Sequence, residues 1–394
     1  MSASFAEQRL LDRDMYAADP HPFFTWLRAE RPVYCDPTGV WTLTKHHDIR
    51  EAERRPQVFS SAPGSRPNGP PQPSIIDSDD PWHAAQRRLV AQGFTHRQMQ
   101  LYEDHVRAVA RQLVDAIETA GTCDVVEALA KPLPMTLIGE MLGASPDDFD
   151  RLQHWSDQMI GGSDGPENIT DEVIGAAFSY YEYISGVIAA RRVEPRDDLV
   201  STLVHSTIDG HQLDDDHVVG NSLLLLVGGN ETTRSVITGG LHALITHPEQ
   251  MAVAVESVAS GVVDPGVVEE CLRWVTPINN MNRTTTTDVE VRGVTIPSGS
   301  QVLMSYVSAN RDEEVFDEPF RFDVTRESNQ HIAFGFGPHL CLGAQLARLE
   351  LRVIFTEVLG RLRNLRLADP HFTPRYSHSS FVRGIQHLPV VFDS

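Results

Sequence analysis

Phe334-Gly335-Phe336-Gly337-Pro338-His339-Leu340-Cys341-Leu342-Gly343 wraps one cysteine in glycine and proline, and a helical pattern follows at once. Glycines carry no Cβ, so the backbone can pass close to a flat ligand. A helix starting near Leu342 aims its free N–H groups and the positive end of its dipole at the sulfur. Both effects favour a thiolate over a thiol. For an isolated cysteine in a glycine-rich turn, the competing reading is an inert core residue.

Upstream, the longest helical candidate runs from about Asp214 to His247, where Pro248 stops it. At about 1.5 Å per residue it is roughly 50 Å long, enough to cross a large domain. Its middle, Leu223-Leu224-Leu225-Leu226-Val227, is apolar all round, as a buried helix should be. Gly228-Gly229-Asn230-Glu231-Thr232-Thr233 comes next. Two glycines cost stability in mid-helix. They serve either close packing or a kink, or they open the i→i−4 ladder to make room for a small ligand. In the second case Glu231 and Thr232 place a carboxylate and a hydroxyl beside it to pass protons. Glu270 and Arg273 stand three apart on another helical stretch, a spacing that also suits a plain solvated pair. His83 and Arg87, four apart in Pro81-Trp82-His83-Ala84-Ala85-Gln86-Arg87-Arg88, share one helix face.

The run around Cys341 resembles the haem-binding signature of the cytochrome P450 family, and the other motifs follow in that family's order. A thiolate that pushes electron density onto haem iron favours O–O cleavage. The resemblance spans about residue 80 to the C-terminus. It implies haem b with Cys341 as the axial iron ligand and Phe334 and Gly335 beside it. It implies that Gly229, Glu231 and Thr232 form the oxygen-activation motif. Two haem propionates need cationic or hydrogen-bonding partners, and the resemblance assigns these to His83, Arg87, Arg283 and His339. Glu270, Arg273 and Arg321, in Pro319-Phe320-Arg321-Phe322, would form a buried structural triad. Leu225, Gly228, Ile278, Asn279, Asn280, Phe381 and Val382 would line the substrate pocket, with residues 62–81 and 161–166 as lids. Gly228 replaces the family's commonest alanine, and Asn230 replaces a common histidine.

Hydrophobic periodicity makes the class mainly α with a minor β portion, and the resemblance implies a single domain over residues 1–394. Helices are predicted over 101–117, 134–142, 147–160 and 171–192. Strands are predicted in a hairpin over Val33–Leu43 and in a region from Val289 to Met304. The net charge of −21 makes nucleic acid and anionic membrane poor partners. No apolar run reaches about 18 residues, so no membrane span is expected. The N-terminus lacks a signal-peptide pattern, which points to the cytoplasm. Cys35, Cys123, Cys271 and Cys341 include no C-x-x-C pair, so neither structural zinc nor an iron–sulfur cluster is expected.

With no G-x-G-x-x-G and no cysteine cluster, the chain carries no reductase. The resemblance therefore implies a monooxygenase that uses O₂ and two electrons from a separate ferredoxin and ferredoxin reductase to hydroxylate or epoxidise its substrate. Its substrate would be a hydrophobic small molecule. Trp274 to Arg283 and Phe381 to Phe392 look most like actinobacterial members that oxidise sterols or branched lipids. Similar segments occur in enzymes that tailor polyketides and terpenoids. A peroxygenase, or a haem sensor or carrier without turnover, would have little use for the Glu231-Thr232 pair. A ferredoxin that is itself acidic calls for a local arginine patch on the cysteine side, with Arg88 and Arg348 as candidates.

Overall fold

A computed structural model describes residues 5–393, the Gln92 side chain excepted. Its axis is the helix Asp215–Thr246, started by the Asp214 side chain, which accepts from the His217 N–H. Helices Pro132–Met141, Asp171–Val193, Pro265–Val275 and Ala344–Arg361 pack around it. The predicted helices are present as His96–Glu118, Pro132–Met141, Phe149–Gly161 and Asp171–Val193.

The central helix runs unbroken through Gly228 and Gly229, so the predicted opening of its ladder is not there. At two of its glycines the reason is close packing. A Cβ on Gly229 would stand 3.0 Å from the Ile138 side chain, and one on Gly240 would stand 2.9 Å from the Phe355 ring. Larger residues would push the neighbouring helices away.

The Val33–Leu43 hairpin is present and joins a five-stranded sheet. Its order is Val33–Cys35, Trp41–Leu43, Gln301–Met304, Met281–Thr285, Phe59–Ser60. Asp36 accepts from the N–H groups of Thr38 and Val40 to fix the turn. The region read from Val289 to Met304 divides. Val289–Val291 and Val294–Ile296 form their own hairpin, while Gln301–Met304 pairs in parallel with Trp41–Leu43.

Both expected lids are tied down. Asp77 accepts from Ser65 and Gln72, and Asn221 of the central helix accepts from Ile75. A Cβ on Gly220 would meet the Pro73 carbonyl at 2.4 Å, so the proline-rich loop lies directly on that helix. At the other lid, buried Asp164 accepts from both the N–H and the hydroxyl of Ser380 at 2.7 Å, which anchors the corner.

Helix Asp171–Val193 is, by length and composition, long and apolar enough to cross a membrane. Here it buries Ala176, Tyr180, Ile184 and Ile188 against the bundle.

Between the central helix and Ala344–Arg361, the buried Glu350 carboxyl faces the Thr233 hydroxyl. Burial pushes it up to about 8, against the Thr233 hydrogen bond. The unfolded chain releases this proton near the ordinary 4.5, so the contribution is fully present below that pH and is lost as pH rises through 8. Glu350→Gln should flatten this loss and gain up to about 4 kcal/mol over the parent by pH 8. Denaturation curves of both proteins from pH 5 to 8 check it, and parallel curves would refute it.

Candidate active site around Cys341

The Cys341 N–H donates to the Phe334 carbonyl at 2.9 Å and closes the loop. Gly335 and Gly337 take φ of +70° and +71°, a region that favours glycine. A Cβ on Gly337 would meet the Glu53 carbonyl at 2.3 Å. At this glycine the close approach is to the helix His46–Glu53.

The thiol is accessible yet surrounded by protein, at the bottom of a recess. The following helix begins at Ala344, two residues later than predicted, and the Gly343 N–H points at the sulfur. Burial pushes the Cys341 thiol up; Gly343, Arg87 and Arg348 pull it down without cancelling that effect. The expected preference for a thiolate is therefore not built into the free chain. Metal coordination would supply it, because a coordinating thiol is deprotonated outright.

Basic groups converge on the recess. His83 is buried on the helix Trp82–Ala91, and its ring lies 4.0 Å from that of His339. Its Nδ1 meets Asp80 at 3.1 Å, while its buried Nε2 has no partner among the described residues. Arg87, one turn on, donates to the Leu340 carbonyl. Arg283 is buried on the strand Met281–Thr285 and donates to the Asn282 carbonyl at 2.8 Å and to Glu53 at 3.3 Å. Burial, then the charges of Arg283, His83 and Arg87, push His339 down to about 2 and keep it neutral.

Glu53, a buried carboxyl beside this group, was missed by sequence reasoning. Burial pushes it up to about 7, although Arg283 and the Tyr306 hydroxyl favour its charge. A thiol, two guanidiniums and two imidazoles, one with an orphaned ring nitrogen, suit a haem with its two carboxylates. Bound there, haem would supply the chemistry of oxygen activation.

On the central helix, a Cβ on Gly228 would meet nothing within 4 Å, so this glycine faces open space. The Thr232 hydroxyl donates to the Gly228 carbonyl at 2.9 Å. Gly229, expected beside the cofactor, is turned against Ile138 instead. Adjacent helical residues point about 100° apart, and Glu231 accordingly departs from Thr232. It is buried and paired with Arg234, which also reaches Asp157 at 2.8 Å. The Asn230 amide is buried with neither polar atom partnered among the described residues.

Glu270 and Arg273 form a fully buried two-point ion pair, 2.7 Å at each contact. The third arginine is not Arg321, whose side chain is exposed and paired with Glu318. Only its carbonyl accepts from Arg273. Arg326 takes the place, its Nε 3.4 Å from Glu270 and its guanidinium hydrogen-bonded to the carbonyls of Asp317 and Arg321.

Of the expected pocket residues, Leu225 is buried on the Gly228 helix, and Ile278 bridges to Val382. Asn279 and Asn280 are buried, and both amides donate to the Ser380 carbonyl, stapling the two pocket segments together. Phe381 is covered by Arg66 of the proline-rich loop, whose guanidinium lies 3.4 Å from the ring centre. The proposed arginine patch loses one member, since Arg348 is held by Glu269 at 2.6 and 2.9 Å. Arg88 is exposed.

Comparison with known proteins agrees with this geometry. The cytochrome P450 family model matches residues 179–385. A steroid C26-monooxygenase of Mycolicibacterium smegmatis is 42% identical over 94% of this chain and 92% of its own. A methyl-branched lipid omega-hydroxylase of Mycobacterium bovis is 37% identical over 94% of this chain and 88% of its own. The crystal structure of CYP109E1 from Bacillus megaterium in complex with testosterone superposes with a TM-score of 0.88 at 29% identity, covering 97% of this chain and 100% of that one. By its cysteine loop, its central helix and these relatives, this chain belongs to the cytochrome P450 family.

Proposed function

We propose that this monooxygenase hydroxylates a sterol or methyl-branched lipid in the cytoplasm, with electrons from a ferredoxin and its reductase. The observation that carries the reading is the convergence of Arg87 on Cys341 and of Arg283, His83 and Arg87 on His339, two residues before it. Cys341 would hold the iron of haem b, the four basic groups would hold its two carboxylates, and Phe334 and Gly335 would belong to the supporting loop. Thr232, on the open face, would pass a proton there, and Glu231 would be held by Arg234, which also reaches Asp157.

The substrate class rests on the 42% and 37% identical relatives and on the apolar lining of Leu225, Ile278, Phe381 and Val382. Arg66 gives that lining one cation, with no carboxylate in ion-pair reach among the described residues. It would meet an oxygen function of the substrate.

Optical titration of the ferric holoprotein tests this reading. A saturable blue shift of the Soret band is expected with a steroid bearing a branched side chain and with a methyl-branched fatty acid. The same steroid without its side chain should bind at least about tenfold more weakly, since several buried CH₂ groups are lost. A shift with macrolides alone would replace the lipid reading by natural-product tailoring. A protein purified without haem from haem-replete cells would overturn the reading entirely.

A further inference from the structure

Gly228, Thr232, Ser235, Gly239 and His242 recur at helical spacing, so the open face at Gly228 continues toward the end of the central helix. Two turns past Gly228, about 10 Å along the axis, that stripe borders a second cavity of about 640 Å³. The chain at Gly384 lies against Ser235, where a Cβ would stand 2.6 Å from the hydroxyl.

Four arginines act together on His21, which lines this cavity and which burial and their charges keep neutral. Two of them are compensated: Arg273 by Glu270 and Arg28 by Glu313. Arg311 and Arg383, which line the cavity, are not. Arg311 is 2% exposed and donates only to carbonyls, those of Arg273, Trp274 and Asn310, and its buried Nε has no partner among the described residues. Arg383 donates to the carbonyls of Tyr16 and Ala18. No carboxylate lies within ion-pair reach of either, again among the described residues. His21 Nδ1 is likewise buried without a partner.

A buried guanidinium without a counter-ion is costly; Arg311 is one and Arg383 is half-buried, in a chain of net charge −21. The one acidic residue in the lining is Asp19, and burial keeps His242 neutral like His21. Two guanidiniums against one carboxylate leave a single positive charge. The walls are flat: Arg311 lies 4.4 Å from the Trp274 ring centre, Arg383 3.4 Å from that of Tyr376, and Phe320 meets His21 edge-on at 5.7 Å.

We propose that this cavity is a second binding site, distinct from the Cys341 recess, for a monoanionic organic carboxylate with a flat apolar body. Its carboxylate lies between Arg311 and Arg383, where guanidinium forks give charge-assisted, two-point contacts. Its body packs on Trp274, Tyr376 and Phe320.

The test uses the holoprotein with its haem pocket saturated by 4-phenylimidazole, a neutral ligand, and reads binding by calorimetry. The probe is 2-naphthoate, compared with neutral 2-naphthalenemethanol and with inorganic phosphate. We expect one naphthoate per chain, with the phenylimidazole spectrum unchanged and each of the other two probes at least about tenfold weaker. Arg383→Gln should lower naphthoate affinity about tenfold or more. Thr25→Trp, which fills the cavity from the helix His21–Glu30 and keeps every charge, should abolish binding. Naphthoate binding only when phenylimidazole is absent would place the anion at the haem and overturn the proposal. So would equal binding of the neutral probe, tighter binding of phosphate, or affinity unchanged in Thr25→Trp.

Discussion

Cys341→Ser is expected to reduce turnover to background while the chain still folds. The loop around it closes through the backbone, Cys341 N–H to Phe334 carbonyl, and serine keeps that bond. Serine offers a hydroxyl in place of a soft thiolate, which is the ligand that favours O–O cleavage. No other cysteine can substitute. Cys271 is fully buried, and burial pushes the Cys123 thiol up to about 11. Haem content, Soret position and product formation, measured side by side on parent and variant, check this. Parent-like turnover by the variant would remove Cys341 from the mechanism.

Arg326→Ala and Arg321→Ala should have opposite outcomes, although both arginines lie in the same loop. Arg326 keeps 10% of its side chain exposed and shares the Glu270 carboxylate with Arg273 and Asn329. Its removal also strips hydrogen bonds from the carbonyls of Asp317, Glu318 and Arg321. Breaking one partner of a buried charge network costs about 3–5 kcal/mol, because the remaining charge is left short of compensation. Arg321→Ala, removing a side chain 57% exposed with only Glu318 as ion-pair partner among the described residues, should leave the denaturation midpoint of the holoprotein unchanged. Urea denaturation of the two variants decides between them. A larger loss for Arg321→Ala would restore it to the triad.

The arginine correction shows where local reading stops. Arg321 and Arg326 are five residues apart in a loop without periodicity, so nothing in the spacing says which side chain turns inward. Tertiary position decides it: the carbonyls of residues 317–321 surround one guanidinium and leave the other in solvent. The same holds for Arg348, which looks like a free surface cation until Glu269 is brought to it from 79 residues away. Glu53 and Arg66 carry no motif at all. They matter only because a short helix and a proline-rich loop deliver them to the recess and to the Phe381 ring.

Local order along the chain was enough for the rest. The glycine and proline positions around Cys341, the apolar run before Gly228 and the four-residue step from His83 to Arg87 are short-range facts. They act through backbone freedom and helical period, which need no partner from afar. The family, the mainly helical fold, the cysteine and the basic groups around it follow from this local order. The packing of distant segments settles that burial outweighs the helix end at the Cys341 sulfur and that Gly228 rather than Gly229 faces the open side. It also settles that Glu231 turns to Arg234 and that Arg326 completes the buried network. Each of these depends on what desolvates or compensates a group, and that is set by atoms from distant segments.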